Sequence, residues 1–127
     1  KGVGKVRLFL NTYFARQLED YDLDQDYIRD VLKDITQGRS VSLGHKLYKI
    51  RSAREGEGKS GGFRNIFFWK KDEFIVFCYL FPKNKRGNLS ARNFKALCIL
   101  ADEYDRLISG DLVRLVAQRS FREFAHD

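Results

Sequence analysis

Two aromatic and β-branched runs stand back to back in this chain, residues 63–69 (FRNIFFW) and residues 74–81 (FIVFCYLF). Each has the length and composition of a β-strand, and Lys71-Asp72 between them fits a tight turn. The pair predicts an antiparallel hairpin. Its second run is apolar on both faces, as a strand in the middle of a sheet must be. A basic, glycine-rich loop (REGEGKSGG) leads into the hairpin and a second basic loop (PKNKRGNLS) leaves it. An apolar hairpin flanked by cationic loops is suited to gripping and straining a phosphodiester backbone.

The rest of the chain has to cover that hairpin. Val6 to Leu10 reads as a short opening strand, followed by a brief helical turn around Phe14–Glu19. Asp24–Gly38 predicts a helix, with Ile28, Val31, Leu32 and Ile35 at helical spacing, an aspartate to cap its start and Gly38 to stop it. Leu47–Ser52 alternates apolar and basic residues, so it predicts a strand with Tyr48 and Ile50 facing the core and Lys49 and Arg51 on the other face. Ser90 caps a helix expected to run to about Ser109 on Phe94, Leu97, Ala101, Tyr104 and Ile108, with Gly110 ending it. From Asp111 a weaker helical pattern leads into a frayed tail. The order β-α-α-β-β-β-α with an extra C-terminal helix predicts an α+β fold, helices on one side of a small antiparallel sheet. At 127 residues the chain is expected to be a single domain, with a core over about 5–110 and a helical tail over 111–127.

Charge points to the partner. The net charge is +7, but residues 11–38 carry three basic and seven acidic side chains. Residues 39–64 carry seven basic and two acidic, and residues 83–95 five basic and no acidic side chains. Positive charge therefore gathers around the hairpin, which favours a polyanion on one face. No apolar run is long enough to span a bilayer, and the N-terminus has no signal-peptide pattern, so the expectation is a cytoplasmic protein without a membrane. Cys78 and Cys98 have neither a CxxC partner nor a nearby histidine. They are expected to be core thiols, with no metal site and no cofactor.

The glycine loop nearly spells two nucleotide-binding motifs. Gly56 to Gly61 matches GxGxxG, and Gly58-Lys59-Ser60 matches the end of a P-loop, but the first P-loop glycine is replaced by Ala53. Both motifs also need a helix after the loop, because its N-terminus helps hold the phosphate. Here a strand follows. The loop reads instead as a connection that presents Lys59 to nucleic acid.

Taken with LYKIR, the segments GEGKSGGFRNIFF and YLFPKNKRGNLS resemble the RelE/ParE superfamily of bacterial toxins, nearest to its RelE/HigB-like, prophage-associated branch. In that branch a GKSGG[FY]R strand start is followed by a strand ending in a lysine–asparagine loop and then a helix. This chain has Gly58-Lys59-Ser60-Gly61-Gly62-Phe63-Arg64 and then Phe81-Pro82-Lys83-Asn84-Lys85-Arg86-Gly87-Asn88. The likeness covers residues 5 to 110. Pro82 and Gly87 depart from it, and the tail past Gly110 does not align. The resemblance implies a toxin of a type II toxin–antitoxin pair, an endoribonuclease that cleaves mRNA on the ribosome. It also implies a cognate antitoxin, commonly a helix-turn-helix protein. A gyrase inhibitor on the same fold is the alternative, and an inactive nucleic-acid-binding or antitoxin-binding remnant a third.

For such an RNase the ribose 2′-OH attacks the adjacent phosphate. That needs a base, positive charge on the phosphorane and a proton donor for the leaving oxygen. With only His45 and His126 available, both outside the motifs, the resemblance hands these roles to lysine and arginine. Arg64 corresponds to the family arginine and would stabilise the phosphorane; the bland reading is a surface arginine paired with a carboxylate. Lys83 is the candidate acid or phosphate ligand, and Asn84 organises its loop. Arg51 and Arg54 either act on the substrate phosphate or clamp ribosomal RNA, and Lys59 is either a base or a tether. Lys49, Lys85, Arg86, Arg92 and Lys95 complete an RNA-docking or ribosome-docking surface, against the plain alternative of a solvated charged face.

Overall fold

The computed structural model describes residues 6–54, 58–83 and 89–125, giving backbone alone at 53, 54 and 58–61. Its order is β1 (Arg7–Asn11), α1 (Thr12–Asp20), α2 (Gln25–Thr36), β2 (Val41–Gly44), β3 (Leu47–Arg54), β4 (Gly58–Lys70), β5 (Phe74–Pro82), α3 (Ala91–Asp105), α4 (Ser109–Ala117) and β6 (Phe121–Phe124). The fold is α+β, as the residue patterns predict. The predicted hairpin is β4–β5, turning through Lys71 and Asp72, with Asp72 in the left-handed region at φ 65°.

The six strands form one sheet in the order β2-β3-β4-β5-β1-β6. Two expectations about it need correction. The sheet is mixed, because β1 pairs parallel with β5 (Leu8 opposite Ile75, Leu10 opposite Phe77). Helices also cover both faces. One core joins α1 and α2 to the face bearing Phe63, Phe67, Ile75 and Phe77, and a second joins α3 and α4 to the face bearing Ile66, Phe68, Val76 and Phe81. Every residue of β5 is buried, and its unbroken apolar run is the physical reason: a strand with no polar face cannot leave either side to water. At Cys78 the β4–β5 register shifts by one residue, Ile66 pairing with Tyr79 and Phe67 with Phe77. This bulge lets Cys78 and Tyr79 both enter the second core. Cys78 is a buried free thiol whose pKa burial raises to about 12, and Cys98 is half-buried and also free.

Helix starts follow the caps legible in the sequence. Asp24 accepts from the backbone of Asp26 and Tyr27 at 3.1 and 3.3 Å, and Ser90 accepts from Asn93 at 3.1 Å. The C-terminal third departs from expectation. α3 stops at Asp105, and Gly110 lies inside α4, where a Cβ would meet nothing within 4 Å. Ile108 keeps the spacing of the α3 stripe but is 68% exposed. It begins α4 instead, its backbone N–H donating to the Asp111 carboxylate at 2.9 Å, while Leu112 takes the buried position. The expected frayed tail is the strand β6, antiparallel to β1. Phe121 and Phe124 are three apart, so on a strand they face opposite ways, and each enters a different core. Among the described residues no helix is long and apolar enough to cross a membrane.

Arg7 fastens β6 to β1 with a fork on Glu123, Nε to Oε2 at 2.9 Å and Nη2 to Oε1 at 2.8 Å. The hydrogen bond from Arg7 holds the Glu123 carboxyl below its ordinary range. A carboxyl depressed in the folded state contributes stability above its unfolded pKa, about 4.3, and loses it as pH falls through the lower folded value. Glu123→Gln should therefore be less stable than the parent at pH 7, and the difference should shrink on acidification below about pH 4. Urea unfolding midpoints across that pH range measure it. A difference independent of pH would mean that the clamp acts through packing alone.

Candidate active site

The positive charge of β3 and β4 is aligned by their register. Arg51 stands directly opposite Arg64, and Lys49 opposite Ile66, so Lys49, Arg51 and Arg64 share one face, as their alternation along the strands requires. That face also carries the second core, so it is not simply a solvent face. Lys49 and Arg64 line a cleft of about 400 Å³. Its apolar walls come from Leu43 of β2, Ile66 of β4, Phe81 of β5 and Leu89, Ala91 and Phe94 at the start of α3.

Lys83 reaches the same place through the hairpin. Phe81 pairs with Arg64 and Pro82 with Phe63, and the Lys83 backbone N–H donates to the Gly62 carbonyl at 2.8 Å. Arg51, Arg64 and Lys83 thus gather at one end of the sheet. Arg92 and Lys95 are exposed on the first turns of α3. Arg54 and Lys59 lie in β3 and β4, where only their backbone is described, and Asn84, Lys85 and Arg86 fall outside the described residues.

The bland reading of Arg64 as half of a surface ion pair does not hold among the described residues. No carboxylate there lies within ion-pair distance of Lys49, Arg51, Arg64 or Lys83. At the other end of the sheet acid lies close to the basic side chains: His45 lies 3.1 Å from Asp102, Lys46 meets Asp105 at 3.4 Å and Lys70 donates to the Asp105 carbonyl at 2.8 Å, while Lys71 stands over the Trp69 ring at 4.3 Å. His45 sits at the β2–β3 turn, six residues from Arg51 and so about 20 Å away along the strand. Acid on the second half of α3 neutralises the turns and leaves the Arg64 end positive.

Arg64 itself is held under electrostatic load. Its Nη1 is buried with no hydrogen-bond partner among the described residues, and burial, then the charge of Arg51, lowers its pKa from the ordinary arginine value. It stays a cation, with one donor unused among the described residues. Two facing guanidiniums and neighbouring ammonium groups can take a bidentate phosphate and neutralise charge that builds on it. Among the described residues no cluster of His, Cys, Asp and Glu could hold a metal ion.

Two parts of the site escape sequence reasoning. β2, which supplies Leu43, is four residues long, and its only sign is the Val41/Leu43 alternation before the His45-Lys46 turn. A buried polar trio lies behind the cations, on the opposite face of the same strands. Tyr27 Oη donates to Asn65 Oδ1 at 2.7 Å and lies 2.6 Å from Ser52 Oγ, and Asn65 Nδ2 donates to Ser52 Oγ at 3.1 Å and to the Ile50 carbonyl at 3.2 Å. Its sign in the sequence is a polar residue, Ser52, at the inward position after Tyr48 and Ile50.

Like charges directly opposed across two strands cost roughly 0.2–1 kcal/mol. Arg64→Met, which keeps the packing and removes one charge, should therefore raise stability by about that amount, read from urea unfolding at pH 7. A loss would mean that the arginine is held by an attractive contact.

Against known proteins, a family model described as "RelE toxin of RelE / RelB toxin-antitoxin system" matches residues 6–124. No curated protein matches the chain. The match extends past Gly110 through α4 and β6, so the tail that motif comparison left unaligned belongs to the domain. With the whole sheet and all four helices inside the match, the chain belongs to the RelE family, the toxins of toxin–antitoxin systems, and has a cognate antitoxin as its partner.

Proposed function

We propose that this toxin is a metal-independent endoribonuclease, an mRNA interferase that cuts message on the translating ribosome and so stops translation. The observation that carries the reading is the Arg51–Arg64 pair, unneutralised among the described residues, with Arg64 lining an apolar cleft. Attack of a ribose 2′-OH builds negative charge on the phosphorane, and Arg64 is the group to meet it, because its free Nη1 needs no reorganisation at that moment. Lys83 approaches from the neighbouring strand as proton donor or phosphate ligand. Arg51 and Arg54 bind the backbone, and Lys59 takes the base's role. Lys49, Asn84, Lys85, Arg86, Arg92 and Lys95 form the surface for message and ribosomal RNA, and the antitoxin, of helix-turn-helix type as in the HigB-like branch, neutralises the toxin in the cytoplasm.

Primer extension on a reporter mRNA in a purified translation system tests the proposal. Cuts in register with codons, requiring ribosomes, are expected. Arg64→Ala should slow them about 10²–10³-fold, as loss of one preorganised charge-stabilising donor does elsewhere. Folded protein that makes no cut, with or without ribosomes, would overturn the nuclease reading and turn attention to inhibition of DNA supercoiling. Cuts on free RNA would remove the ribosome from it.

The docking surface has its own signature. Replacing Arg92 and Lys95 together by alanine should weaken ribosome binding and flatten its dependence on salt, each lost phosphate contact taking about one unit from the logarithmic slope. An unchanged slope would place the contact elsewhere.

A further inference from the structure

We infer that Tyr27, Ser52 and Asn65 are positioning residues for the Arg51–Arg64 pair, a hydrogen-bonded ring on one face of β3 and β4 that fixes the two arginines on the other. The catalytic part of this inference rests on the nuclease reading; the structural part does not.

The ring is closed. Tyr27 spends its one proton on Asn65 Oδ1, so the Ser52 hydroxyl must donate to the Tyr27 oxygen, and Asn65 Nδ2 completes the circuit to Ser52. The second Nδ2 proton goes to the Ile50 carbonyl. All three side chains are buried, and each donor is used. Burial raises the Tyr27 phenol above its ordinary range, which keeps it a donor at every physiological pH.

The place of the ring in the ladder sets its job. Ser52 directly follows Arg51 and Asn65 directly follows Arg64 on antiparallel strands, so on the reverse face the ring straddles the arginine row, Ser52 one row to one side of it and Asn65 one row to the other. The arginines repel across the strands, which tends to open the ladder at that row. The ladder also becomes irregular between Ser52 and Arg54. Ser52 thus stands in the last regular row before the irregularity, and Asn65 ties it back across the arginine row to the Ile50 row. A slip of β3 by one residue against β4 would turn Arg51 to the wrong face, away from Arg64. Apolar side chains of the same size would pack as well but would tolerate such a slip, whereas a fully satisfied polar ring admits one register.

The anchor is rigid. Tyr27 stands in the first turn of α2, its backbone N–H held by the Asp24 cap at 3.3 Å. Its ring meets Phe63 edge-on, centroids 5.9 Å apart, and Tyr21 meets Phe63 from another side at 5.3 Å. A change at α2 is thus transmitted to the row beside Arg64 with little slack.

Tyr27→Phe breaks the ring while keeping its volume, and Ser52→Ala is the milder second variant should the first fail to fold. The first readout needs no enzyme activity: ¹⁵N relaxation of the Arg51 and Arg64 Nε groups in the free protein. Lower order at both arginines in the variant is expected; order equal to the parent's would overturn the inference, whatever the protein cuts. The second readout is single-turnover cleavage of ribosome-bound mRNA. The cleavage rate constant should fall about 10- to 100-fold, the scale of a misplacement near 1 Å, with the half-saturating concentration unchanged. Ser52→Thr, which retains the hydroxyl, should keep the parent's rate. In an Arg64→Ala background, Tyr27→Phe should cost no further rate, although it still lowers the unfolding midpoint. Additive losses there would reduce the trio to a structural role. If the parent itself cuts nothing, the nuclease reading falls, and the relaxation data still decide the positioning.

Discussion

Burial of β5 on both faces is the condition the rest of this molecule answers to. All nine of its residues are covered, and no polar position along it lets water reach the strand. Two separate helix pairs must therefore be supplied, α1 with α2 on one side and α3 with α4 on the other. The neighbours β4 and β1 protect its edges, one antiparallel and one parallel. Without the closing strand β6, β1 would become the edge. Phe121 packs against Phe9 at 5.5 Å and Tyr104 at 5.4 Å, so β6 also seals the second core.

That two-sided construction explains how a small domain can carry a cationic site. The strands that hold Arg51 and Arg64 carry the first core on one face, and on the other the second core beside the cations. On the first face, a polar ring and the Phe63 cluster set the register; on the second, the same register sets two like charges against each other. Energy gained by burial on one side is offset by repulsion on the other, and the ladder connects the two. The site is destabilised by construction, as expected where function requires concentrated charge.

The distribution of acid sharpens this. Asp102 and Asp105 sit on the second half of α3 and meet His45, Lys46 and Lys70, while exposed Arg92 and Lys95 stand on its first turns. One helix therefore neutralises one end of the sheet and adds charge at the other. The acidic exterior of α1 and α2 lies across the sheet from the cations. The net charge of +7 understates how polar the molecule is, and a polyanion would meet the Arg64 end first.

Local chemistry was enough to determine the hairpin, the helix over Gln25–Thr36, the caps at Asp24 and Ser90 and the convergence of Lys83 on Arg64. Each depends on periodicity, a turn or a cap within a few residues, and hairpin register follows from its turn. The family motifs lie in the same segments, so the position of Arg64 in the hairpin was legible too. Tertiary structure alone decided the rest. β2 and β6 are four residues each, too short to show a period, and exist because a neighbouring edge needs hydrogen bonds. The break between α3 and α4 overrides an intact helical stripe because Leu112, not Ile108, finds a core to enter. The facing of Arg51 and Arg64 and the Tyr27–Ser52–Asn65 ring join residues 13 to 38 positions apart, and the apolar cleft joins Leu43 to Phe94. No local pattern encodes such pairings, because they arise only when strand register and helix packing bring distant side chains to one row.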